Sequence, residues 1–323
     1  MAEVEPRADT TADRSTPTRP VLAGNSLAGG YVLDLLLEGW APADLLVIAP
    51  PGGPRHGWQP SLADHARRRG VAVLDPLDVN DGTVVDAVRA HGADLLLSVY
   101  YTQLFRAPLL DAVDGPALNF HPSLLPRHRG TAPLIWAIAD GDAVTGVSVH
   151  ELTLGVDTGP LLWQRRLPIH PDDTGYTLHL KAAGLVRSIA ADLLRALRAG
   201  RPLPDPVEQA GTPTVHTSRD PQLNQIDWAG RAEHVRNVVR ALAAPLPGAY
   251  STWQGRRIGI EEVDVLAPAR SSRAPGMVEV GPSGLAVWAA DAPVRIELVR
   301  LDDEVVPATA LIERGLTEGH LFA

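Results

Sequence analysis

The chain has 323 residues, of which 45% are hydrophobic, a formal net charge of −9 and no cysteine. This length and composition are typical of a globular protein with two domains, and the absence of cysteine excludes disulfides and thiolate metal sites. The sequence contains no run of about 18 apolar residues, so we expect no membrane-spanning segment. The acidic balance argues against a general attraction to nucleic acid.

The first residues are polar and carry charges of both signs. Residues 1–19 contain no apolar run of the kind that a secretory signal peptide has. We therefore expect a disordered tail over 1–19 and a cytoplasmic protein.

Short apolar runs then alternate with segments of helical periodicity. Apolar runs predict buried strands at 21–23, 44–49, 71–74, 93–99 and 117–121. Segments between them predict helices at 27–38, 61–69 and 81–90, the second opened by Ser61 and Asp64 in a pattern that resembles a capping box. Strands that alternate with helices predict an α/β fold with a doubly wound, mostly parallel sheet.

The pattern after residue 121 predicts the last elements of this first domain, then a linker and then a second domain. Two apolar runs at 145–152 and 159–169 precede a long amphipathic helix at 175–199. An amphipathic helix at 228–243 and short alternating strands, such as 257–265 and 284–289, indicate a smaller β-rich, barrel-like unit. We therefore predict a first domain at 20–200, a proline-rich linker at 201–221 and a second domain at 222–323.

Asn119 and His121 stand two residues apart at the end of the strand predicted at 117–121. Because side chains alternate along a strand, both lie on one face at the carboxyl end, where open α/β sheets bind ligands. An amide and an imidazole together suit a reaction that develops a negative oxygen and moves a proton. The alternative is that Asn119 satisfies backbone groups of a turn and that His121 is a core histidine.

Other polar positions are weaker signals when taken alone. Asp157 lies in the glycine-marked loop of "LTLGVDTGPLL", but Asp-Thr-Gly is common in ordinary turns. The stretch "AGNSLAGG" at 23–30 lacks the G-x-G-x-x-G order, so we interpret it as a strand-to-helix turn and not as a dinucleotide site. His128 and His150 lack metal-ligand spacing, so we expect no metal.

Taken together, "NFHPSLLPRHRGTAP" and "TGVSVHELTLGVDTGPLL" resemble the folate-dependent formyltransferase family, which includes methionyl-tRNA formyltransferase and the sugar N-formyltransferases. The resemblance covers about 21–199, and "IDWAGRAEHVRNVVRALAAPLPGAYSTWQG" is similar to the start of the family's smaller C-terminal domain. "SVYYTQLF", "APLIWAIADGD" and "PLPGAYS" look most like the enzyme that formylates UDP-4-amino-4-deoxy-L-arabinose.

The resemblance implies formyl transfer from 10-formyltetrahydrofolate to an amine, with Asn119, His121 and Asp157 as the catalytic residues. Asn119 and His121 would stabilise the developing oxyanion, His121 would also transfer a proton, and Asp157 would orient His121 and favour its imidazolium. The same resemblance implies donor contacts from Ser123, Leu124, Leu125, Pro126, Thr131, Thr153, Leu154, Gly155 and Val156. It implies a substrate pocket formed by Tyr100, Tyr101, Gln103, Leu104 and Phe105. Thr131 stands where the arabinose enzyme carries an arginine that contacts the folate, so donor contacts differ there.

Charge indicates which amine accepts the formyl group. The loop at 49–60, "APPGGPRHGWQP", has a single arginine, and residues 222–323 contain 10 arginines against 13 acidic residues. Because phosphate contacts dominate nucleic-acid affinity, we predict a small-molecule amine: an amino sugar nucleotide, a hydroxyornithine-like side chain or another secondary-metabolite amine. Methionyl-tRNA is the alternative, and a 10-formyltetrahydrofolate hydrolase or a silent folate-binding module is a further alternative. A homodimer is one assembly that the sequence leaves open.

Overall fold

The computed structural model describes residues 16–52, 57–216, 221–267, 273–281 and 284–323. Most of the tail predicted at 1–19, and Arg55 and His56 of the loop at 49–60, therefore lie outside the described residues. Within the described ranges, no helix is long and apolar enough to cross a membrane. The chain divides into two compact units; the first is formed from Met1–Pro133, Val144–Pro168 and His179–Thr217, the second from Leu134–Ala143, Ile169–Leu178 and Ser218–Ala323.

The first unit contains a seven-stranded sheet. The strands of the unit, in chain order, are β1 (Pro20–Gly24), β2 (Leu46–Ile48), β3 (Ala72–Leu74), β4 (Leu95–Val99), β5 (Ala117–His121), β6 (Arg129–Gly130), β7 (Val144–Glu151), β8 (Leu161–Pro168) and β9 (Val215–His216). The two short strands, β6 and β9, are not part of the seven-stranded sheet. The sheet order is β3-β2-β1-β4-β5-β7-β8, while β6 and β9 form a separate parallel pair. β1 to β5 pair in parallel and β7 and β8 are antiparallel, which confirms the predicted α/β fold.

The helices of the first unit begin where the sequence supplies a cap. The side chains of Asn25, Ser61 and Asp81 accept backbone hydrogen bonds at the starts of α1 (Ser26–Leu37), α2 (Leu62–Arg68) and α3 (Gly82–His91). α4 (Ala107–Leu110) belongs to the same unit. α5 (Pro133–Ala139) belongs to the second unit from Leu134 onward, and α6 (Gly175–Arg198) begins in the second unit and belongs to the first from His179. β1 and β4 are buried along their whole length, as central parallel strands are when helices cover both faces of the sheet.

The segment predicted as a linker at 201–221 is bound to the first unit as far as residue 216. Val207 and Leu161 exchange backbone hydrogen bonds of 2.7 and 2.8 Å, and β9 pairs with β6. Its prolines and glycines predicted the absence of a long helix or strand, but they do not prevent a segment from packing on a neighbour. The part at 217–220 lies outside the described residues, and the domain boundaries at 200 and 222 stay predictions.

The second unit is β-rich, as predicted. Its strands are β10 (Ala249–Trp253), β11 (Arg256–Val265), β12 (Val278–Gly281), β13 (Gly284–Trp288), β14 (Pro293–Leu301) and β15 (Glu304–Pro307). They form one sheet in the order β10-β11-β14-β13-β12, with β15 paired to β14. α7 (Ala232–Leu242) buries its apolar stripe, Val235, Val238, Val239 and Leu242, and α8 (Thr309–Glu313) lies near the C-terminus.

The last residues of the chain connect the two edges of this sheet. Ala323 exchanges backbone hydrogen bonds with Thr252 of β10. Phe322 donates to the Gly276 carbonyl, and the His320 carbonyl accepts from Val278 at the start of β12. This closure pairs the edge groups that an open sheet would expose, and it accounts for the barrel-like form.

Candidate active site

The carboxyl end of β5 carries Asn119 and His121, and Asp157 reaches them from the loop between β7 and β8. Asp157 Oδ2 lies 3.4 Å from His121 Nδ1, and Asn119 Nδ2 donates to Asp157 Oδ1 at 3.1 Å. The Gly130 N–H donates to Asp157 Oδ2 at 2.7 Å. The three residues predicted to act together are therefore within hydrogen-bonding reach of one another, at the sheet edge where ligands bind in this class of fold.

His121 is only 4% exposed, and both of its ring nitrogens face acceptors. Nε2 donates to the His128 carbonyl at 2.8 Å, while Nδ1 faces the Asp157 carboxylate. Burial lowers the pKa of His121, and it outweighs the opposite effect of Asp157 and of the His128 carbonyl. Asp157 thus acts in the predicted direction, but the resulting pKa lies below the usual value of 6.5. A neutral imidazole with its proton on Nε2 leaves Nδ1 free to accept a proton.

Asp157 stays ionised across the physiological range. Burial by itself would raise the pKa of this carboxyl, but His121, His150 and the Gly130 N–H together lower it to about 2. Its backbone is left-handed, with φ of 49°, a conformation that a non-glycine residue holds only when its surroundings impose it. The carboxylate is therefore available to stabilise an imidazolium at His121.

His150 joins this cluster, a place that the spacing of its neighbours in the sequence did not predict. It is 2% exposed, its Nδ1 donates to the Glu151 carbonyl at 2.7 Å, and its Nε2 lies 3.1 Å from Asn119 Nδ2. Nε2 also lies 3.3 Å from Asp157 Oδ1, so His150 contacts both Asn119 and the carboxylate. Asn119 Nδ2 thus has two neighbours within the protein, Asp157 Oδ1 and His150 Nε2, and its role as a donor to the oxyanion stays a prediction. Asn119 and His150 lie opposite each other in the β5–β7 pair, a strand register that only the structure reveals.

The Ser-Leu-Leu-Pro loop is fastened to β7 and β8. Ser148 Oγ donates to the Ser123 carbonyl at 2.7 Å and accepts from Leu125 N–H, and Gln164 donates to the Leu125 carbonyl at 3.0 Å. The side chains of Ser123, Leu125 and Pro126 are buried. They therefore support the loop, and the donor contact of these residues stays a prediction. Leu124 and Thr131 are half-buried.

A groove of about 670 Å³ lies in the first unit and contains residues from both predicted sets. It is lined by Asp78, Asn80, Gln103, Leu104, Phe105, Arg106, Ala107, Pro108 and Leu154. Leu104 and Leu154 are 59% and 68% exposed, which is unusual for leucine and marks an apolar rim. Thr153 and Gly155 are exposed and Val156 is half-buried on the same loop as Leu154. The structure therefore places part of the predicted pocket beside part of the predicted donor site.

Tyr100 and Tyr101 do not line this groove. Tyr101 stacks on Phe105 with 5.5 Å between ring centroids, and burial raises its pKa to about 12. Tyr100 packs beside His179, with 5.6 Å between ring centroids, and burial raises its pKa as well. Both side chains are half-buried beside this groove, and their place in a substrate pocket stays a prediction.

Gly130 offers a test of how tightly the site is packed. We expect Gly130→Ala to destabilise the protein by about 1–3 kcal/mol and to reduce turnover. The added Cβ would come within 2.1 Å of the His216 carbonyl oxygen, and φ is already 89°. Chemical denaturation and kcat check this together. Gly30→Ala is the control, since its Cβ meets nothing within 4 Å and lies in α1; equal losses in the two variants would contradict the expectation.

Comparison with known proteins gives matches in both units. Residues 59–189 match the formyl transferase family model, and residues 219–314 match the model of the formyl transferase C-terminal domain. A methionyl-tRNA formyltransferase from Anaeromyxobacter sp. (strain K) is 39% identical over 259 residues, covering 77% of this chain and 81% of that protein. Another, from Geotalea uraniireducens, is 32% identical over 267 residues, covering 80% and 82%.

Among solved structures, an N-formyltransferase from Helicobacter canadensis, in complex with folinic acid and dTDP-3-aminofucose, superposes with a TM-score of 0.66 at 17% identity, over 86% of this chain and 98% of that chain. At that identity the similarity concerns the fold. The family matches in both units, together with the 39% identical relative, show that this chain belongs to the formyltransferase family, whose members are folate-dependent enzymes that transfer formyl groups.

Proposed function

We propose that the protein transfers the formyl group of 10-formyltetrahydrofolate to a small-molecule amine, with Asn119, His121 and Asp157 as its catalytic residues. The observation that carries this proposal is the buried contact of His121 Nδ1 with Asp157 Oδ2 at 3.4 Å. A buried base whose conjugate acid is paired with a carboxylate suits proton transfer near neutral pH.

Each residue of the site has a separate role in the proposed reaction. The amine attacks the formyl carbon of the donor; the bond between that carbon and N10 then breaks, and tetrahydrofolate leaves as N10 takes the proton from His121. His121 accepts the proton that the amine loses, and Asp157 stabilises the imidazolium that forms. Asn119 donates to the carboxylate from Nδ2, which also contacts His150 Nε2. In the proposed reaction the same amide donates to the developing oxyanion.

The groove described above suits a folate. Its rim of Leu104 and Leu154 offers apolar surface to a ring system. The amides of Asn80 and Gln103 shape the groove from within, because their hydrogen bonds go to backbone groups such as Arg106 N–H and Val79 N–H. Arg106 offers a guanidinium to the carboxylates of the glutamate tail. The apolar rim and the guanidinium match the ring system and the tail of 10-formyltetrahydrofolate, so we propose this groove as the donor site.

The choice of a small amine rests on charge. Seven of the arginines described in the second unit form ion pairs with carboxylates: Arg231, Arg236, Arg256, Arg273, Arg295, Arg300 and Arg314. Arg240 instead donates to the carbonyls of His170 and Asp173. An arginine already paired within the protein offers little to a phosphate, and phosphate contacts supply most of the affinity for nucleic acid. Arg257 is exposed and lies over the ring of Tyr250. Within the described residues of the second unit most arginines are therefore already paired with carboxylates, which does not favour tRNA binding.

Formylation of methionyl-tRNA is the second candidate, because the curated relatives cited above carry that name at 39% and 32% identity. A panel decides between the two: amino sugar nucleotides, hydroxyornithine and other small amines on one side, and charged initiator tRNA at physiological salt on the other. We expect one small amine to gain a formyl group in the mass spectrum, and tRNA to bind only at roughly the 10⁻⁴ to 10⁻⁶ M level of non-specific association.

Two results would overturn this proposal. Saturable formylation at micromolar tRNA would identify a methionyl-tRNA formyltransferase. Formate release that needs no amine would identify a hydrolase. His121→Ala is the control in every arm, because any background transfer that persists in this variant does not come from the site.

A further inference from the structure

The segment that follows α6 contacts both loops of the site. The Thr214 carbonyl accepts from Arg129 N–H at 2.9 Å, and Thr214 Oγ accepts from His128 N–H at 2.7 Å. His128 is the residue whose carbonyl accepts from His121 Nε2. The segment therefore positions the His128 carbonyl, which is the acceptor that keeps the proton of His121 on Nε2.

Gln209, earlier in this segment, connects the loop of Asp157 to the loop of Arg129. Its Nε2 donates to the carbonyls of Asp157 at 2.8 Å and Gly159 at 2.7 Å. Its Oε1 accepts from Nε of Arg129 at 3.1 Å and from Nη2 at 2.6 Å. Both N–H groups and the oxygen are used, so the amide has a single orientation: carbonyls require its donors and the guanidinium requires its acceptor.

These bonds act on a strained part of the chain. Asp157 is left-handed, and a Cβ on Gly159 would meet the Glu151 carbonyl oxygen at 1.9 Å, so the loop runs tightly against β7. Loops of this kind relax when the contacts that impose them are removed. A small displacement of the loop would carry the carboxylate away from His121 Nδ1 and from the Gly130 N–H.

We propose that Gln209 is a positioning residue for catalysis, which acts by holding the Asp157 loop against the Arg129 loop. This inference rests on the proposed function, because it assigns Gln209 a role through Asp157. It gives the segment at 201–216 a part in the chemistry of the first unit, where its composition had indicated a linker. Gln209 does not touch the reacting atoms; it sets the geometry of a residue that does.

Two substitutions separate the hydrogen bonds of Gln209. Gln209→Glu keeps the acceptor for Arg129 but removes both donors to the carbonyls, and Gln209→Met removes all of the bonds at similar volume. We expect each to lower kcat by on the order of 10- to 100-fold, while the KM of the donor stays within error of the wild type and the protein still unfolds cooperatively. Glu208→Gln, an exposed neighbour, is the matched control and should keep wild-type kcat.

A double-mutant cycle with Asp157→Asn, measured with whichever acceptor the panel identifies, decides whether Gln209 acts through Asp157. We expect Gln209→Met to cost little further turnover once the carboxylate is absent. Equal losses in both backgrounds, or a fall in the denaturation midpoint with kcat unchanged, would overturn the positioning role while leaving the proposed function intact. Wild-type turnover in Asp157→Asn alone would overturn the proposed function itself, and the role of Gln209 with it.

Discussion

Replacement of His121 by alanine is expected to lower kcat by about 100- to 10,000-fold, the range that a positioned general base contributes. In the proposed reaction the imidazole accepts the proton of the attacking amine, and no other described base lies opposite both Asp157 and the His128 carbonyl. The KM of the donor should change little, since the groove that we assign to it lies on other residues. Steady-state kinetics with the accepted amine measure both quantities.

His65→Ala is the matched control for this variant. His65 pairs with Asp34 at 2.9 Å at the surface, so it repeats the histidine–carboxylate pair away from the site. We expect wild-type kcat from it. His121→Ala protein that remains folded, by circular dichroism and a cooperative denaturation curve, yet turns over at the wild-type rate, would show that the assignment of the catalytic residues is wrong.

Asp157→Asn is expected to lower kcat by a similar factor, about 100-fold or more, and to change its pH dependence. In the proposed reaction the active form of His121 is neutral, so we expect activity to fall as pH drops through the pKa of His121, which burial places below 6.5. The carboxylate raises this pKa, so its removal lets burial lower the pKa further. The acid limb of kcat should therefore move to lower pH in the variant. Profiles recorded from about pH 4 to 8 check the shift, and a limb that stays fixed or moves upward would contradict it.

The same substitution has a second signature, in stability. The pKa of Asp157 is about 2 in the folded protein against 3.8 for the free carboxyl. A lowered folded pKa stabilises the protein above the unfolded value, and this contribution is lost as pH falls through the folded value. Wild-type protein should therefore lose more stability than Asp157→Asn between about pH 4 and pH 2. Denaturation curves at a series of acidic pH values measure the difference.

The sequence by itself determined the local structure and much of the site. Apolar runs bounded by turn residues located β1, β4 and β5 because buried parallel strands are apolar throughout. Ser61 marked the start of α2 because its side chain satisfies a free N–H group in the first turn of the helix. Strand alternation was enough to place Asn119 and His121 together on one face. These features depend on neighbours in the chain, which is why a pattern of a few residues can specify them.

Only the tertiary structure decided how that site is held and how it titrates. His150 meets Asn119 across 31 residues of sequence, and Gln209 meets Asp157 across 52. Each contact depends on strand register or on the course of a loop, and no local pattern encodes either. The direction of the His121 pKa also required the fold, because it is the balance between burial and a carboxylate brought in by a distant loop. For the same reason the composition of the segment at 201–216 indicated a linker, although hydrogen bonds from this segment hold both loops of the site in place.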